Sequence, residues 1–299
     1  MKKSNNPIIP AFIGKQVWAV KNAFRLNRLK KDILNYYSTL PATQINAEQK
    51  KALDFLRENG VSVFPYPFQK KYSPASVEVF TDTQLGLRYI LLNDKRLYFK
   101  RSWSEKEIKE NYYFLEMEQD VDSPHRYLTD QFYVADGETV VDVGAAEGNF
   151  SLSVVEKARA IYLFETDEEW IEALTATFAP WKDKVNIVNK FVSDINDSKN
   201  ITLDSFFKEK EIFDFIKIDV DGAERSLLKG YKKLLSSPTP LKIALCTYHQ
   251  QEDEKEFTQL LTRKGFNITI SKNYMLFIYA EPLQPPYFRR GLIRAIRGF

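Results

Sequence analysis

The sequence predicts an α/β protein built on a mostly parallel, doubly wound sheet with helices on both faces. From about residue 131, strand-like runs alternate with helix-like runs, which is typical of a parallel sheet. Gly144 and Gly148 enclose a tight turn between a β-branched run and a helix, where backbone closely approaches another group. After residue 265, two strand-like runs follow without a helix between them. They predict an antiparallel hairpin at one edge of the sheet.

The overall composition sets the class of protein. The 299 residues, of which 44% are hydrophobic, suffice for one large domain with an appendage or for two domains. No apolar run is long enough for a transmembrane helix, and the first residues lack the apolar core of a signal peptide. Cys246 is the single cysteine, which excludes an internal disulfide and a cysteine-based zinc site. We therefore expect a cytoplasmic protein.

Both ends of the chain are basic. Residues 1–31 contain eight Lys or Arg and residues 282–299 contain four Arg, and neither stretch contains an acid. Such ends predict an anionic partner, so peripheral contact with the inner face of a membrane is one expectation. Solvated helix faces, docking on the chain's own domain and a second subunit of a homo-oligomer are the alternatives. No nucleic-acid partner is expected, because the basic stretches lack a groove-binding motif.

The first 130 residues predict two accessory regions. Residues 1–60 form a basic helical region with helices over 12–40 and 47–59, ended by Pro41 and Gly60. Residues 61–130 form a small β-rich region that we assign to the substrate. Its strands are predicted over 61–64, 76–80, 86–92 and 96–99, with a hairpin turn at 93–94. A helix over 104–117 follows, begun by a capping box of Ser104 and Glu107.

Residues 131–281 are predicted to form the main domain. The strands are predicted over 139–143, 160–164, 185–192, 213–218, 242–247, 266–270 and 274–280. The helices are predicted over 149–157, 168–178, 224–235 and 252–264. Residues 282–299 are predicted to form a basic amphipathic tail, as a helix with Phe288, Leu292 and Ile296 on one face and arginines on another.

Acidic residues follow four of these strands. Asp142, Glu165, Asp194 and Asp219 lie at or just past strand ends, on the edge of the sheet where ligands bind. Glu165 follows Asp142 by about twenty residues, the spacing at which an acid binds the two hydroxyls of a ribose. A dinucleotide-binding enzyme has this acid too. However, such enzymes carry a Gly-x-Gly-x-x-Gly turn that brings the backbone against a pyrophosphate, and here Ala146 replaces its middle glycine. The charge of Glu147 would also repel a pyrophosphate. The cationic sulfonium of S-adenosylmethionine would tolerate that charge.

These motifs together carry a family resemblance. Asp142-Val-Gly-Ala-Ala-Glu-Gly-Asn-Phe-Ser151, Phe164-Glu165, Val192-Ser-Asp194, Thr202-Leu-Asp204-Ser-Phe206 and Lys217-Ile-Asp219-Val-Asp-Gly-Ala-Glu224 occur in that order. Over about residues 123–265 the chain resembles the FkbM family of S-adenosylmethionine-dependent O-methyltransferases. The resemblance implies a Rossmann-like class I methyltransferase sheet and a hydroxyl acceptor on a sugar or glycan. Thr166, Asp221 and Cys246 depart from residues common in the family, and Cys246 replaces a substrate-side acid.

The resemblance also implies a set of cofactor-binding residues. The methionine end of S-adenosylmethionine is assigned to the turn that contains Asp142, Gly144, Ala145, Glu147, Gly148 and Asn149. Glu165 and Thr166 are assigned to the ribose, Ser193 and Asp194 to the adenine, and Asp219 to the mouth of the site near the methyl group.

His249 and Asp219 are the predicted catalytic residues. Methyl transfer needs alignment and removal of a proton from the acceptor hydroxyl. His249 follows the fifth strand of the alternation at its carboxyl end, and a neighbouring carboxylate is expected to keep its pKa in the range of a base. The alternative is a helix-capping or surface histidine. Asp221, His125 and Tyr127 are predicted to contact the substrate.

A divalent metal is an alternative that the sequence favours less, so no residue is assigned as a metal ligand. Asp219, Asp221, Glu224 and His249 offer oxygen and imidazole ligands that suit magnesium or manganese. Against this, Glu224 is expected in the first turn of a helix, where a carboxylate complements the helix dipole.

The sequence therefore predicts an S-adenosylmethionine-dependent O-methyltransferase. A non-catalytic regulatory or scaffold protein that binds the same cofactor is the second hypothesis, motivated by Cys246 and by the large accessory region. A nicotinamide-dependent dehydrogenase is the third, and the terminal hairpin and the glycine pattern argue against it.

Overall fold

The structure is a computed structural model that describes residues 11–208, 213–279 and 283–298, with side chains from residue 23 onward. The packing divides the chain into two compact units. The first contains residues 1–67 and 276–288, and the second contains residues 68–275 and 289–299.

Two α-helices lie in the described part of the first unit, as predicted. Helix α1 spans Ala11–Ser38 and helix α2 spans Ala47–Asn59, which begins with a capping box of Asn46 and Gln49. The segment 276–288 also belongs to this unit and contacts α1. The hydroxyl of Tyr37 on α1 donates to the carbonyl of Pro286 at 2.6 Å. The strand predicted over 61–64 is wrong, because those residues are irregular. Lys2 and Lys3 of the basic N-terminus lie outside the described residues.

A small antiparallel sheet opens the second unit. Strands β1 (Phe80–Asp82), β2 (Leu87–Leu92) and β3 (Lys95–Tyr98) pair in that order. The predicted tight turn between β2 and β3 is confirmed, since Asn93 and Asp94 have φ of 50° and 63°. The predicted capping box at Ser104 is confirmed at the start of helix α3 (Glu105–Glu118).

The main sheet has seven strands. The later strands are β4 (Thr139–Val143), β5 (Ala160–Phe164), β6 (Val185–Val188), β7 (Phe191–Val192), β8 (Asn200–Ile201), β9 (Phe215–Ile218), β10 (Leu241–Cys246), β11 (Asn267–Ile270) and β12 (Leu292–Arg297). The helices are α4 (Asn149–Val154), α5 (Glu168–Phe178), α6 (Leu203–Phe206), α7 (Glu224–Lys229), α8 (Lys232–Ser236) and α9 (Asp253–Arg263). The sheet order is β11-β12-β10-β9-β4-β5-β6, with β7 and β8 paired separately. This is the predicted class I methyltransferase architecture.

Alternating residues of the central strand enter two different cores. Val140 belongs to the hydrophobic cluster on one face of the sheet, and Val141 and Val143 belong to the cluster on the other. A β-branched run with no polar alternation therefore predicted correctly a strand that is covered on both faces.

The terminal antiparallel pair is confirmed, but its second strand is not the predicted one. Strand β12 lies between β10 and β11 and is antiparallel to both. The strand predicted over 274–280 is wrong for the described residues 274–279, which form no strand, and residue 280 lies outside the described residues.

The amphipathic tail helix predicted within 282–299 is also wrong, because Leu292–Arg297 is an inner strand of the sheet. Leu292, Ile293 and Ala295 are fully buried. The arginines of β12 bind backbone carbonyls: Arg297 donates to Leu235 at 2.6 Å. The helical face proposed for a membrane is therefore absent, and none of the described helices is long and apolar enough to cross a bilayer.

Candidate functional site

The glycine turn between β4 and α4 is shaped by close packing. Gly144 has φ of 77°, and a Cβ there would lie 1.9 Å from the backbone oxygen of Asp219. Gly148 has φ of 82°, and a Cβ there would lie 2.7 Å from Leu174. Both residues must be glycine for the turn to rest against the end of β9 and the side of α5. The turn thus holds Asp219 close to the end of β4.

A cavity of about 470 Å³ opens at the carboxyl ends of β4, β5 and β9. Five predicted site residues line it, namely Gly144, Glu165, Thr166, Asp219 and Asp221. The other walls are largely apolar or aromatic and include Phe164, Trp170, Phe191, Val192 and Tyr248. The cavity therefore lies where a doubly wound sheet binds its ligand.

Glu165 is held rigidly at the end of β5. One carboxylate oxygen accepts hydrogen bonds from the backbone N–H groups of Thr166 and Asp167, at 2.6 and 2.9 Å. The other accepts from the N–H of Ala146 at 2.9 Å. Glu165 also lines the cavity, and a carboxylate that can accept one more hydrogen bond suits a ribose hydroxyl.

Asp142 does not line the cavity, and the cofactor contact predicted for it stays a prediction. Its side chain is fully buried, lies 3.0 Å from the Lys217 ammonium and accepts from the Ser151 hydroxyl at 2.7 Å. Lys217 in turn donates to the carbonyl of Gly144 at 2.6 Å. Lys217 was missed as a site residue, although its position two residues before Asp219 on one strand was a signal. The buried pair of Asp142 and Lys217 therefore stabilises the glycine turn through the carbonyl of Gly144.

The other predicted cofactor residues also lie outside this cavity lining. Ala145 and Glu147 are buried in the turn, and burial raises the pKa of Glu147 to about 7. Asn149 lines a separate cavity of about 370 Å³ next to α3. Ser193 and Asp194 follow the lining residue Val192, and Asp194 accepts from the Ser226 hydroxyl at 2.7 Å. Their cofactor contacts stay predictions.

Asp219 is the centre of a hydrogen-bonded cluster at the edge of the cavity. The hydroxyls of Tyr127 and Tyr248 donate to its two oxygens at 2.9 and 3.0 Å, and His125 Nε2 lies 3.4 Å away. Burial would raise the pKa of Asp219. The hydrogen bond and charge of His125, together with the charge of Lys217, outweigh burial and hold this pKa well below its usual range. Asp219 is therefore ionised.

The structure brings two of the predicted substrate residues, His125 and Tyr127, to Asp219. Tyr248 was not predicted, although it directly precedes His249 and lies at the same strand end. Glu118, which lies 3.8 Å from His125 Nδ1, was also missed. Little in the sequence indicated this role, because Glu118 lies in the last turn of α3, about a hundred residues before Asp219.

His249 lies among three carboxylates. Its Nδ1 is 2.9 Å from Glu224, and its Nε2 is 3.6 Å from Asp221 and 3.9 Å from Asp219. Burial lowers the pKa of His249, but the nearby carboxylates of Asp221, Glu224 and Asp219 stabilise the charged ring and raise this pKa to about 10. The imidazole is thus protonated at neutral pH. The expectation that its pKa stays in the range of a base is wrong, because the carboxylates stabilise the charged form.

Asp219, Glu224 and His249 also offer ligand atoms that all lie within 4.8 Å of one another. Glu224 is the first residue of α7, as expected for a carboxylate in the first turn of a helix, and it accepts from the N–H of Val220 at 3.3 Å. The divalent metal stays an alternative.

The chain matches a known protein family. The model of the methyltransferase FkbM domain matches residues 109–268, which is more than half of the chain. A comparison with curated proteins gives no match. Among solved structures, the methyltransferase FkbM of Methylobacillus flagellatus KT is 17% identical, with a TM-score of 0.46 over 62% of this chain and 50% of that chain. The chain thus spans half the length of that relative.

Two further similar structures are more distant. The precorrin-6y C5,15-methyltransferase of Geobacter metallireducens GS-15 is 12% identical, with a TM-score of 0.37 over 55% of this chain and 81% of that chain. An rRNA methylase of Streptococcus thermophilus is 14% identical, with a TM-score of 0.35 over 55% of this chain and 89% of that chain. On the strength of the domain match, the chain belongs to the methyltransferase FkbM family.

Proposed function

We propose that this enzyme methylates a hydroxyl group of a sugar or glycan. The observation that carries the proposal is the ionised carboxylate of Asp219 at the edge of the cavity, held by two tyrosine hydroxyls. The sugar rests on the family resemblance. A small-molecule or glycan acceptor is the partner that the proposal requires.

The cavity fits the cofactor that the family implies. Glu165, with its fixed carboxylate, would bind the ribose hydroxyls, and Phe191, Val192 and Trp170 would pack against apolar parts of the molecule. S-adenosylmethionine supplies a methyl group on a positively charged sulfur. A carboxylate near that end of the cavity complements the charge, and Asp219 provides one.

Asp219 would act as the acceptor of a hydrogen bond from the substrate hydroxyl. The bond turns a lone pair of the hydroxyl oxygen towards the methyl group, which is the alignment that an in-line displacement needs. When the oxygen formed its bond to the methyl carbon, the carbon–sulfur bond would break and the sulfur would leave as a neutral thioether. The proton left on the oxygen would be that of a protonated ether, a far stronger acid than any carboxylic acid, so Asp219 would accept it even though its own pKa is low. The reaction therefore needs no neutral histidine.

His249 would act as a positioning residue. Its positive charge lies within 4 Å of Glu224, Asp221 and Asp219, and it keeps three carboxylates together that would otherwise repel one another. Tyr127 and Tyr248 fix the direction of the Asp219 carboxylate. Tyr127, Tyr248 and His249 thus set the orientation of one carboxylate, that of Asp219, which would accept the hydrogen bond from the substrate.

The test is transfer of a labelled methyl group from S-adenosylmethionine to a panel of glycans. We expect label that survives mild base, since methyl ethers resist base and methyl esters do not. The Asp219→Asn variant should lose at least 100-fold in kcat and keep its affinity for S-adenosylhomocysteine, since a positioned acid–base group contributes about 10²–10⁴-fold. Tyr127→Phe should lose less. Base-labile label, or full activity of Asp219→Asn, would overturn the proposal.

A further inference from the structure

Another cavity, of about 430 Å³, is lined by residues of β11 and β12, by Lys272 and by residues of the segment 121–132, and none of these lining residues belongs to the methyl-transfer site. We call it the cationic cavity. Its lining contains Val121, Ser123, Arg126, Thr129, Asp130, Gln131, Phe132, Thr269, Ile270, Lys272, Arg294 and Ile296. Three of these residues are cationic and one is acidic. Its volume lies within the range of about 300–1,000 Å³ that small-molecule sites occupy.

The buried charge of Arg294 is the first argument. Arg294 is 7% exposed on β12, and its guanidinium donates to the backbone carbonyls of Tyr127, at 3.0 Å, and Arg126. Among the residues that the structure describes, no carboxylate forms an ion pair with it. The buried cations Lys217 and Lys242, in contrast, lie 3.0 and 2.6 Å from a carboxylate. A buried charge without a counter-ion is costly, so this site favours an anion.

The neighbouring charges are the second argument. Burial, and then the positive charge of Arg126, lower the pKa of Arg294 to about 10. Arg126 and the exposed Lys272 line the same cavity, opposite a single acid, the exposed Asp130. Like charges gathered around one space repel one another unless an anion lies between them.

The polar groups of the wall are the third argument. Ser123, Thr129 and Thr269 contribute hydroxyls, and Gln131 contributes an amide. Guanidinium and ammonium groups with several neutral donors suit a group that has three acceptor oxygens and more than one negative charge.

We propose that the cationic cavity binds the phosphate group of a soluble small molecule. This site is separate from the cofactor cavity, and the proposal does not rest on the acceptor being a sugar. Tyr127 connects the two sites, since its carbonyl accepts from Arg294 and its hydroxyl donates to Asp219. A phosphate in the cationic cavity would lie next to the segment that positions the reactive carboxylate. The phosphate is either free or part of a phosphorylated acceptor.

The test is calorimetric titration of the full chain with inorganic pyrophosphate at low salt, followed by a nucleoside diphosphate sugar such as UDP-glucose. Binding of both assigns the site to a phosphorylated acceptor, and binding of pyrophosphate alone assigns it to free phosphate. Arg126→Gln and Lys272→Gln should each weaken binding about 10-fold, since each removes a charge-assisted contact. The matched control is Lys255→Gln, an exposed lysine on α9 whose loss should change nothing.

Affinity for S-adenosylhomocysteine should stay unchanged in all three variants, which shows that they fold and separates this test from that of the methyl-transfer site. The proposal is overturned if neither phosphate compound binds at 10 mM, or if Arg126→Gln binds as the wild type does. Sedimentation with phosphatidylglycerol vesicles, without binding of either soluble compound, would assign the charges to a membrane surface and would also overturn it.

Discussion

The protonation state of His249 can be tested directly, because the chain contains only two histidines. Its surroundings raise its pKa from 6.5 to about 10. One pKa unit corresponds to about 1.4 kcal/mol, so the imidazolium gains at most about 5 kcal/mol from its surroundings in the folded chain. Because the folded pKa lies above the unfolded one, this stabilisation is complete below pH 6.5 and is lost as the pH rises through about 10.

The measurement is a pH titration of the ring carbons in protein labelled with ¹³C-histidine, with His125→Asn to assign the two signals. We expect the His249 signal to remain that of the charged ring at pH 8. Glu224→Gln removes the carboxylate that lies 2.9 Å from Nδ1 and should lower the pKa by about 1–3 units. A His249 pKa at or below 6.5, or one that Glu224→Gln leaves unchanged, would refute the reasoning and restore His249 as a candidate base.

Three further predictions concern the support of the site. Gly144→Ala should abolish folding, since its Cβ would meet the Asp219 backbone at 1.9 Å; Gly137→Ala, with a similar φ and open space, should cost only about 1–2 kcal/mol in urea unfolding, and equal losses would contradict this. Lys217→Met should cost about 3–5 kcal/mol because it leaves Asp142 buried without its cation, and adding Asp142→Leu should recover most of the loss; no recovery in thermal melts would contradict the pair. Truncation after Gly291 should give insoluble protein, because it removes the inner strand β12, and a soluble, cofactor-binding truncation would contradict the sheet order.

The bounds of strands and helices could be predicted from the sequence where turn signals and caps lie next to the element itself. Thr139–Val143 and Ala160–Phe164 are apolar strands between clear turn signals, and both were predicted with their observed bounds. Glu168–Phe178 and Ala47–Asn59 have the observed bounds as well, because caps at Asp167 and Asn46 mark where they begin.

Strand β12 could not be predicted because its determinants are not local. Leu292-Ile-Arg-Ala-Ile-Arg297 places arginines at positions that also fit one face of a helix. The partners that make it a strand lie on β10, about fifty residues earlier, and its arginines bind carbonyls of distant loops. The site shows the same division. Asp219 was predicted from the motif over 217–224, and Tyr127 only from its place in the segment that enters the main domain. The roles of Lys217 and Tyr248 depend on contacts across the sheet.

The central claim is that the cavity at the ends of β4, β5 and β9 binds S-adenosylmethionine through Glu165. Calorimetry with S-adenosylhomocysteine tests it most directly, comparing the wild type with Glu165→Ala and with the control Glu168→Ala, an exposed acid on α5. We expect the wild type and the control to bind alike and Glu165→Ala to bind at least 10-fold more weakly, since a charge-assisted hydrogen bond contributes about 1.5–3 kcal/mol. A wild-type protein that does not bind at millimolar concentration, or a Glu165→Ala variant that binds as tightly, would contradict the claim.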